Sequence, residues 1–372
     1  MAMAAPEPLL ESLAAAAAQA EREGRLLPES VAALREAGAF RALVPAPLGG
    51  LEADPRELRV MIEAIASADG AAGWCAAIGA TSGLAAGYLP AEPARRLLGG
   101  AEAIGAGVFA PRGTLSEAPD GDGYVLSGRW PLASGISHAT SVGLGCTHPE
   151  RGPLYAVVPR DEVEVVETWD SLGLRATASH DVEVRELKVP GEQVADLVGG
   201  IPTATGALYA FPLFGLLAVS ISAVCTGIAR GALSDIAAIA AGRKPAGSSR
   251  SLAERATAQE RVAAAEASLR AASAGVDAAI ASAWITASSG SPLELEERLG
   301  LRLAATHAAR AAVAVVDAMH ALGGAGALYR SSALERRLRD VHTAAQHMIV
   351  APATFELGGR LLLGLETDAQ QL

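Results

Sequence analysis

The stretch Gly128-Arg129-Trp130-Pro131-Leu132-Ala133-Ser134-Gly135-Ile136-Ser137-His138-Ala139 sets how the rest of the chain is read. Its counterpart further on is Trp169-Asp170-Ser171-Leu172-Gly173-Leu174-Arg175-Ala176-Thr177-Ala178-Ser179-His180-Asp181. Each places a Trp beside small hydroxyl residues and glycines, and both fall in the one region that reads as β-structure. An indole packs on the face of a ring, while Ser, Thr and exposed backbone N–H groups meet ring heteroatoms and phosphates. Two such segments suit a flat aromatic ligand. Trp130, Ser134, Gly135, Trp169, Thr177 and Ser179 are its candidate contacts, and His138 and His180 are expected to hold the loops through hydrogen bonds.

Short β-rich runs surround these segments: Tyr124-Val125-Leu126, Leu154-Tyr155-Ala156-Val157-Val158, Val163-Glu164-Val165-Val166 and Val182-Glu183-Val184-Arg185-Glu186-Leu187. Gly and Pro punctuate them, which predicts a small antiparallel β-domain over residues 103–197. Residues 1–102 read as helical pieces: Glu7 to Glu23, Pro28 to Gly38, Arg56 to Ala68, Ala71 to Leu89 and Ala91 to Leu98. Residues 198–372 read as a helical bundle of longer pieces, from Thr203, Ser251, Leu293, Ser332 and Ala351 onward. A polar link, 242–250, separates the first two of these.

The composition, 51% apolar and 19% charged over 372 residues, is that of a globular chain long enough for two or three domains. A net charge of −11 speaks against nucleic acid or an anionic membrane as partner. Cys75, Cys146 and Cys225 lie far apart with no CxxC pair, so buried thiols are expected rather than a disulfide framework or a metal site. Leu208 to Ala229 is long and apolar enough to span a bilayer, but it carries Pro212, Ser220, Ser222 and Thr226. It reads better as a helix enclosed by a bundle, which is also apolar all round. The N-terminus carries Glu7 and Glu11 and no basic run, so a cytoplasmic protein is expected.

Helices, a β-domain holding the two Trp segments, and a helical bundle together resemble the acyl-CoA dehydrogenase superfamily over almost the whole chain. The resemblance implies a mainly α fold with a central β-domain: an N-terminal helical domain, a middle antiparallel β-domain and a C-terminal helical bundle. It also implies FAD held by the two Trp segments, and a homotetramer, because such sites borrow residues from a neighbouring subunit. Leu322-Gly323-Gly324-Ala325-Gly326 and Arg339-Asp340 would then approach the flavin's diphosphate or adenosine from that neighbour, making Gly323, Gly324 and Arg339 cofactor contacts. Arg250 is a further diphosphate candidate. A glycine turn between helices serves equally as a helix C-cap, and Arg250 equally as a solvated charge.

The C-terminal segment bears on the chemistry. Acyl-CoA dehydrogenases abstract an α-proton with a carboxylate some way after that Asp; here the region carries His347, and Glu356 follows later in Phe355-Glu356-Leu357. An Arg-Asp run followed by a His and Gly-Arg-Leu-Leu-Leu-Gly resembles another branch, the two-component flavin monooxygenases. These take reduced flavin from a separate reductase, add O2 at the flavin C4a carbon and transfer one oxygen atom, often to an aromatic ring. An imidazole near neutral pKa can take a proton from such a substrate or donate one. His347 is therefore the catalytic candidate, and His342, five residues earlier, is expected to face elsewhere on the same helix.

Asp69-Gly70-Ala71-Ala72-Gly73-Trp74 resembles the branch's substrate-side helix, which makes Trp74 a substrate contact. Where many members carry a second His, this chain has Thr81, a further substrate contact, and Ser82, the second catalytic candidate beside His347. A hydroxyl orients a substrate but is a poor base, so an indole or similar heteroaromatic fits better than a phenol. Phe109 stands where the superfamily's loop meets the flavin ring, which makes it a candidate substrate contact. The cofactor expected is reduced flavin, FADH2, with FMN left open. The partners are O2, a small aromatic substrate and a flavin reductase. A true acyl-CoA dehydrogenase and a non-catalytic helical assembly protein of the same fold are the alternative readings.

Overall fold

The computed structural model describes residues 5–244 and 249–372; residues 245–248 of the polar link and residues 1–4 lie outside the described residues. Five helices come first: α1 (Glu7–Glu23), α2 (Pro28–Glu36), α3 (Pro55–Ala68), α4 (Gly70–Gly83) and α5 (Ala91–Leu98). Asp54 starts α3 by accepting from the N–H groups of Arg56 and Glu57, both at 2.8 Å, with Pro55 as the first helical residue. Asp69 ends α3 and caps α4 in one extended residue, so the two helices turn sharply against each other. Glycines allow α4 to sit close: a Cβ on Gly73 would stand 2.4 Å from Ala66 Cβ, and one on Gly79 would stand 2.5 Å from the Phe40 ring. The helix expected over Ala71 to Leu89 ends at Gly83 and continues only as a 3-10 turn, Leu84–Gly87.

The sheet follows: β1 (Gly105–Glu117), β2 (Tyr124–Ala133), β3 (Ser141–His148), β4 (Gly152–Pro159), β5 (Glu164–Val166), β6 (His180–Val189) and β7 (Val194–Ala195). Its order is β5-β6-β2-β1-β3-β4-β7. The expected all-antiparallel arrangement needs one correction, because β1 and β3 pair in parallel. The chain leaves β2 and crosses residues 134–140 to the far side of β1 before β3 begins, so β3 cannot return as a hairpin. The composition concealed β1 and β3. Gly105, Gly107, Pro111 and Gly113 interrupt the first and Gly143 and Gly145 the second, and such residues weaken a strand signal.

The bundle closes the chain: α6 (Ala207–Ala210), α7 (Leu213–Ala240), α8 (Ala256–Ser288), α9 (Leu295–Gly323), α10 (Ala333–Ala344) and α11 (Ala353–Leu362). Pro212 breaks the run expected from Thr203, separating α6 from α7. Glu294 and Glu297 form a reciprocal capping box at the start of α9. Helix α7 lies in the middle, with Leu216, Val219, Val224, Ile228 and Ala232 in one core with α3, α4 and α9. That enclosure accounts for its uniform apolarity. The three cysteines are buried and unpaired.

Candidate active site

The two Trp segments meet at the edge of the sheet facing α4. Gly135, left-handed at φ 75°, donates its N–H to Thr177 O at 2.9 Å, tying one segment to the other. A chain of side chains runs along this join. Trp74 Nε1 lies 2.9 Å from Ser134 Oγ, Ser134 Oγ 2.7 Å from Ser179 Oγ, Ser179 Oγ 2.6 Å from Thr177 Oγ1, and Thr177 Oγ1 2.8 Å from Leu174 O. An indole N–H only donates and a carbonyl only accepts, so both ends fix the direction of every proton between them. Each hydroxyl donates toward Leu174. Trp169 Nε1 donates to the same carbonyl at 3.2 Å. Leu174 and Ala178, at φ 52° and 46°, hold left-handed backbone without being glycine.

This geometry changes the reading of several candidates. Thr177 is fully buried and Ser134 and Ser179 nearly so, and their hydroxyls already bond one another. They brace the turn, and Thr177 cannot reach a ligand. Trp130 cannot pack on one either: its side chain is 0% exposed and donates to Gly145 O at 2.6 Å. Its ring fills the space that a Cβ on Gly113 or Gly128 would occupy, at 2.2 and 2.9 Å. The indole is sheet core because flanking glycines admit it. Trp169, by contrast, is half-buried at the edge. His180 holds its loop as expected, accepting at Nδ1 from the N–H groups of Thr168 and Trp169 at 3.2 and 3.1 Å. His138 does not, since its Nδ1 is buried with no partner.

His347 lies beside this chain. Helix α10 ends at Ala344, so His347 is outside the helix expected to contain it and instead caps the 3-10 turn Met348–Val350. Its ring meets the Trp74 indole edge-on, with centroids 5.7 Å apart. Burial pushes its pKa down to about 4, so the imidazole is neutral at pH 7. Nδ1 accepts from Ile349 N–H at 3.2 Å, which places the one ring proton on Nε2. The side chain is thus a donor at Nε2. His342 turns away, its Nε2 2.8 Å from Asp317 Oδ1 near the surface.

Further along α4, Ser82 is nearly buried and Thr81 half-buried. Thr81 spends its hydroxyl on its own helix, donating to Ala77 O at 2.8 Å, so it offers a cavity only its methyl. Phe109 sits within β1 rather than in a loop, where the pairing with β3 is irregular between Val108 and Gly113. Its ring packs against Tyr155 and Phe214, at centroid distances of 6.0 and 5.7 Å.

The Arg-Asp pair works inside this chain. Arg339 is buried, with its guanidinium on Glu335 at 2.6 and 2.7 Å, on Glu21 at 2.5 Å and on Leu172 O at 2.9 Å. With four of its five N–H donors engaged inside the protein, it clamps α1 and the second Trp segment to α10. Asp340 accepts from Leu174 N–H at 2.6 Å. Burial pushes its carboxyl up to about 7, the Leu174 bond opposing and the nearby Asp69 charge adding to the rise. Gly323 closes α9 and Gly324 caps it, and a Cβ on Gly326 would stand 2.8 Å from Arg243 of the same chain. Arg250 is exposed and precedes α8 instead of starting it. Glu356, the carboxylate that α,β-desaturation would need, is exposed on α11.

The residues fit a flavin. Leu132 and Leu172 are 61% and 67% exposed on the two braced segments, Trp169 presents a half-open indole, and His138 keeps a buried nitrogen without a partner. Known proteins agree. Residues 4–91 match “Acyl-CoA dehydrogenase, N-terminal domain” and residues 219–352 match “Acyl-CoA dehydrogenase, C-terminal domain”. The chain is 35% identical to the indole-3-acetate monooxygenase of Pseudomonas putida, over 92% of this chain and 89% of that one. It is 28% identical to the flavin-dependent monooxygenase oxygenase subunit HsaA of Rhodococcus jostii (strain RHA1), over 91% and 92%. The structure of XiaF from Streptomyces sp., in complex with FADH2 and glycerol, superposes with a TM-score of 0.88 at 26% identity, covering 96% of each chain.

The chain belongs to the acyl-CoA dehydrogenase family. Within that family it is a flavin-dependent monooxygenase, an oxidoreductase that works with reduced flavin.

Proposed function

We propose that this oxygenase takes reduced FAD from a separate reductase and oxygenates a small heteroaromatic of the indole type. When bound, reduced flavin would supply the activation of O2 and the oxygen atom transferred to the ring. The protein's part is to place the substrate, exclude water and direct one proton. Trp169 and the backbone of the two braced segments hold the ring system, and Gly135 fixes the turn between them. His347 donates from Nε2 where negative charge develops on oxygen. Trp74 forms the wall between that donor and the Ser134 hydroxyl. Ser82, Thr81 and Phe109 line the far end of the substrate cavity.

The observation that carries this reading is the neutral imidazole of His347 packed edge-on against Trp74, with Glu356 out in solvent. That site can donate a proton to oxygen, and Glu356 is not placed for α-proton abstraction. The indole class is supported by the identity with the Pseudomonas putida relative. Exposed apolar side chains at Leu328, Tyr329, Leu362 and Leu363 support assembly of copies into a tetramer. The test is a reaction of the protein with chemically reduced FAD and ¹⁸O2 in the presence of indole-3-acetate or indole. The expected result is product carrying one labelled oxygen atom. Hydrogen peroxide alone, at the rate given by free flavin, would overturn the reading.

A further inference from the structure

Tyr155 lies on β4, and its ring crosses the sheet over two glycines. A Cβ on Gly143 would stand 2.2 Å from its hydroxyl and from its Cε1, and one on Gly107 would stand 2.2 Å from the same hydroxyl. Gly107 and Gly143 are register partners in the parallel β1–β3 pair. The ring therefore passes over β3 and delivers its hydroxyl above β1, facing α4. The Cβ position of Gly107 lies 2.2 Å from the Tyr155 hydroxyl and 3.1 Å from Ser82 Oγ, so the two hydroxyls come together over that glycine. Gly105 admits Ser82 in the same way, since a Cβ there would stand 2.9 Å from Ser82 Cβ. Glycine in a strand interior weakens it, and three of them here let both side chains lie close on the strand backbone.

Both side chains are largely buried, yet among the described residues neither hydroxyl has a hydrogen-bond partner in the protein. Neither is among the polar atoms sealed from solvent. Ile78, Thr81, Gly107 and Phe109 around them keep partial exposure, so the pair lies near an open face. Buried polar groups are ordinarily paired, and two left unpaired beside each other are set for a ligand. Burial raises the Tyr155 phenol above its usual range, so it stays neutral and both donates and accepts. The residues around the pair carry no charge, and a carboxylate there would be desolvated without a cation. Eight residues of helix put Ser82 about 12 Å beyond Trp74, a separation longer than a bicyclic ring.

We infer that Tyr155 is a specificity-determining residue: with Ser82 it takes up the ring N–H of an indole-type substrate at the end of the cavity remote from His347. The inference rests on the indole reading above. The test measures binding by anaerobic calorimetry, without turnover, of indole and of 1-methylindole to the FADH2-loaded wild type and to Tyr155→Phe and Ser82→Ala. Wild type should favour indole over 1-methylindole. Tyr155→Phe should weaken indole about 5- to 10-fold, the effect of one hydrogen bond, and leave 1-methylindole unchanged. Ser82→Ala should do the same to a smaller degree, which guards against a folding defect peculiar to one variant. Equal loss for both ligands, or no loss, would overturn the role of Tyr155 while leaving the indole reading intact. Wild type that binds FADH2 but neither indole would overturn both.

Discussion

Asp340 Oδ1 accepts the N–H of Leu174 at 2.6 Å, joining α10 to the residue whose carbonyl receives both the hydroxyl chain and Trp169. The carboxyl is buried beside Asp69, and its pKa is raised to about 7 from an ordinary 3.8. The folded state therefore binds more protons than the unfolded state between those values, and this group's contribution to stability falls as pH rises through that window. Asp340→Asn keeps an acceptor for Leu174 and removes the titration. Relative to wild type, the variant should gain stability at pH 8 compared with pH 5 in urea unfolding. An unchanged difference between the two pH values would show that the carboxyl is not raised.

His347 makes a sharper statement about chemistry. With Nδ1 taken by Ile349 and the proton on Nε2, it can give a hydrogen bond to a ligand but cannot accept one from it. His347→Gln keeps an N–H donor and should retain more turnover than His347→Ala, which should fall about 10²-fold, the scale of losing one donor to developing charge. A general base would lose equally in both variants. Because the folded pKa is lowered to about 4, activity should be flat across neutral pH as far as this group is concerned. Stability should fall as pH drops from 6.5 toward 4, where the unfolded chain binds the extra proton.

Much of the architecture was legible because it rests on local signals. The capped helix starts, the Pro and Gly breaks and the long apolar α7 are written in neighbouring residues. The two Trp segments stood out by composition, and they do meet at Gly135 and Thr177. What composition could not tell is which Trp faces inward, because that depends on Gly113, fifteen residues or more from Trp130 by chain yet adjacent across the sheet. Arg339 resembled a phosphate ligand until its partners were known, and Glu21 lies at the other end of the chain. Tyr155 gave no sign in its own strand. The signal lies in Gly107 and Gly143, paired glycines inside β1 and β3 that let its ring cross the sheet.

The hydroxyl chain has its own consequence. Ser179 is its middle link, accepting from Ser134 and donating to Thr177. Ser179→Ala leaves the Ser134 proton buried without an acceptor, which costs about 1–3 kcal/mol. Ser134→Ala leaves the indole N–H of Trp74 in the same position. Each variant should lower the melting temperature. The double variant should cost less than the sum, because the two act in one network. Strict additivity would mean that the hydroxyls act separately.

Trp130 and Trp169 should part company under the same substitution. Trp130→Phe leaves Gly145 O unsatisfied and opens a void in a fully buried site, which together should cost about 2–4 kcal/mol. The folded fraction should still bind FADH2 as wild type does, because that indole faces no ligand. Trp169→Phe gives up a longer bond to a carbonyl that Thr177 also serves, so its stability cost should stay at about 1 kcal/mol or less. Its loss should appear instead in flavin affinity, weakened about 10-fold, the scale of one aromatic stacking contact. Anaerobic titration of FADH2 beside thermal melts measures both quantities on both variants. If Trp130→Phe loses flavin affinity and Trp169→Phe keeps it, the flavin lies on the other indole and the buried position of Trp130 does not persist in the loaded enzyme.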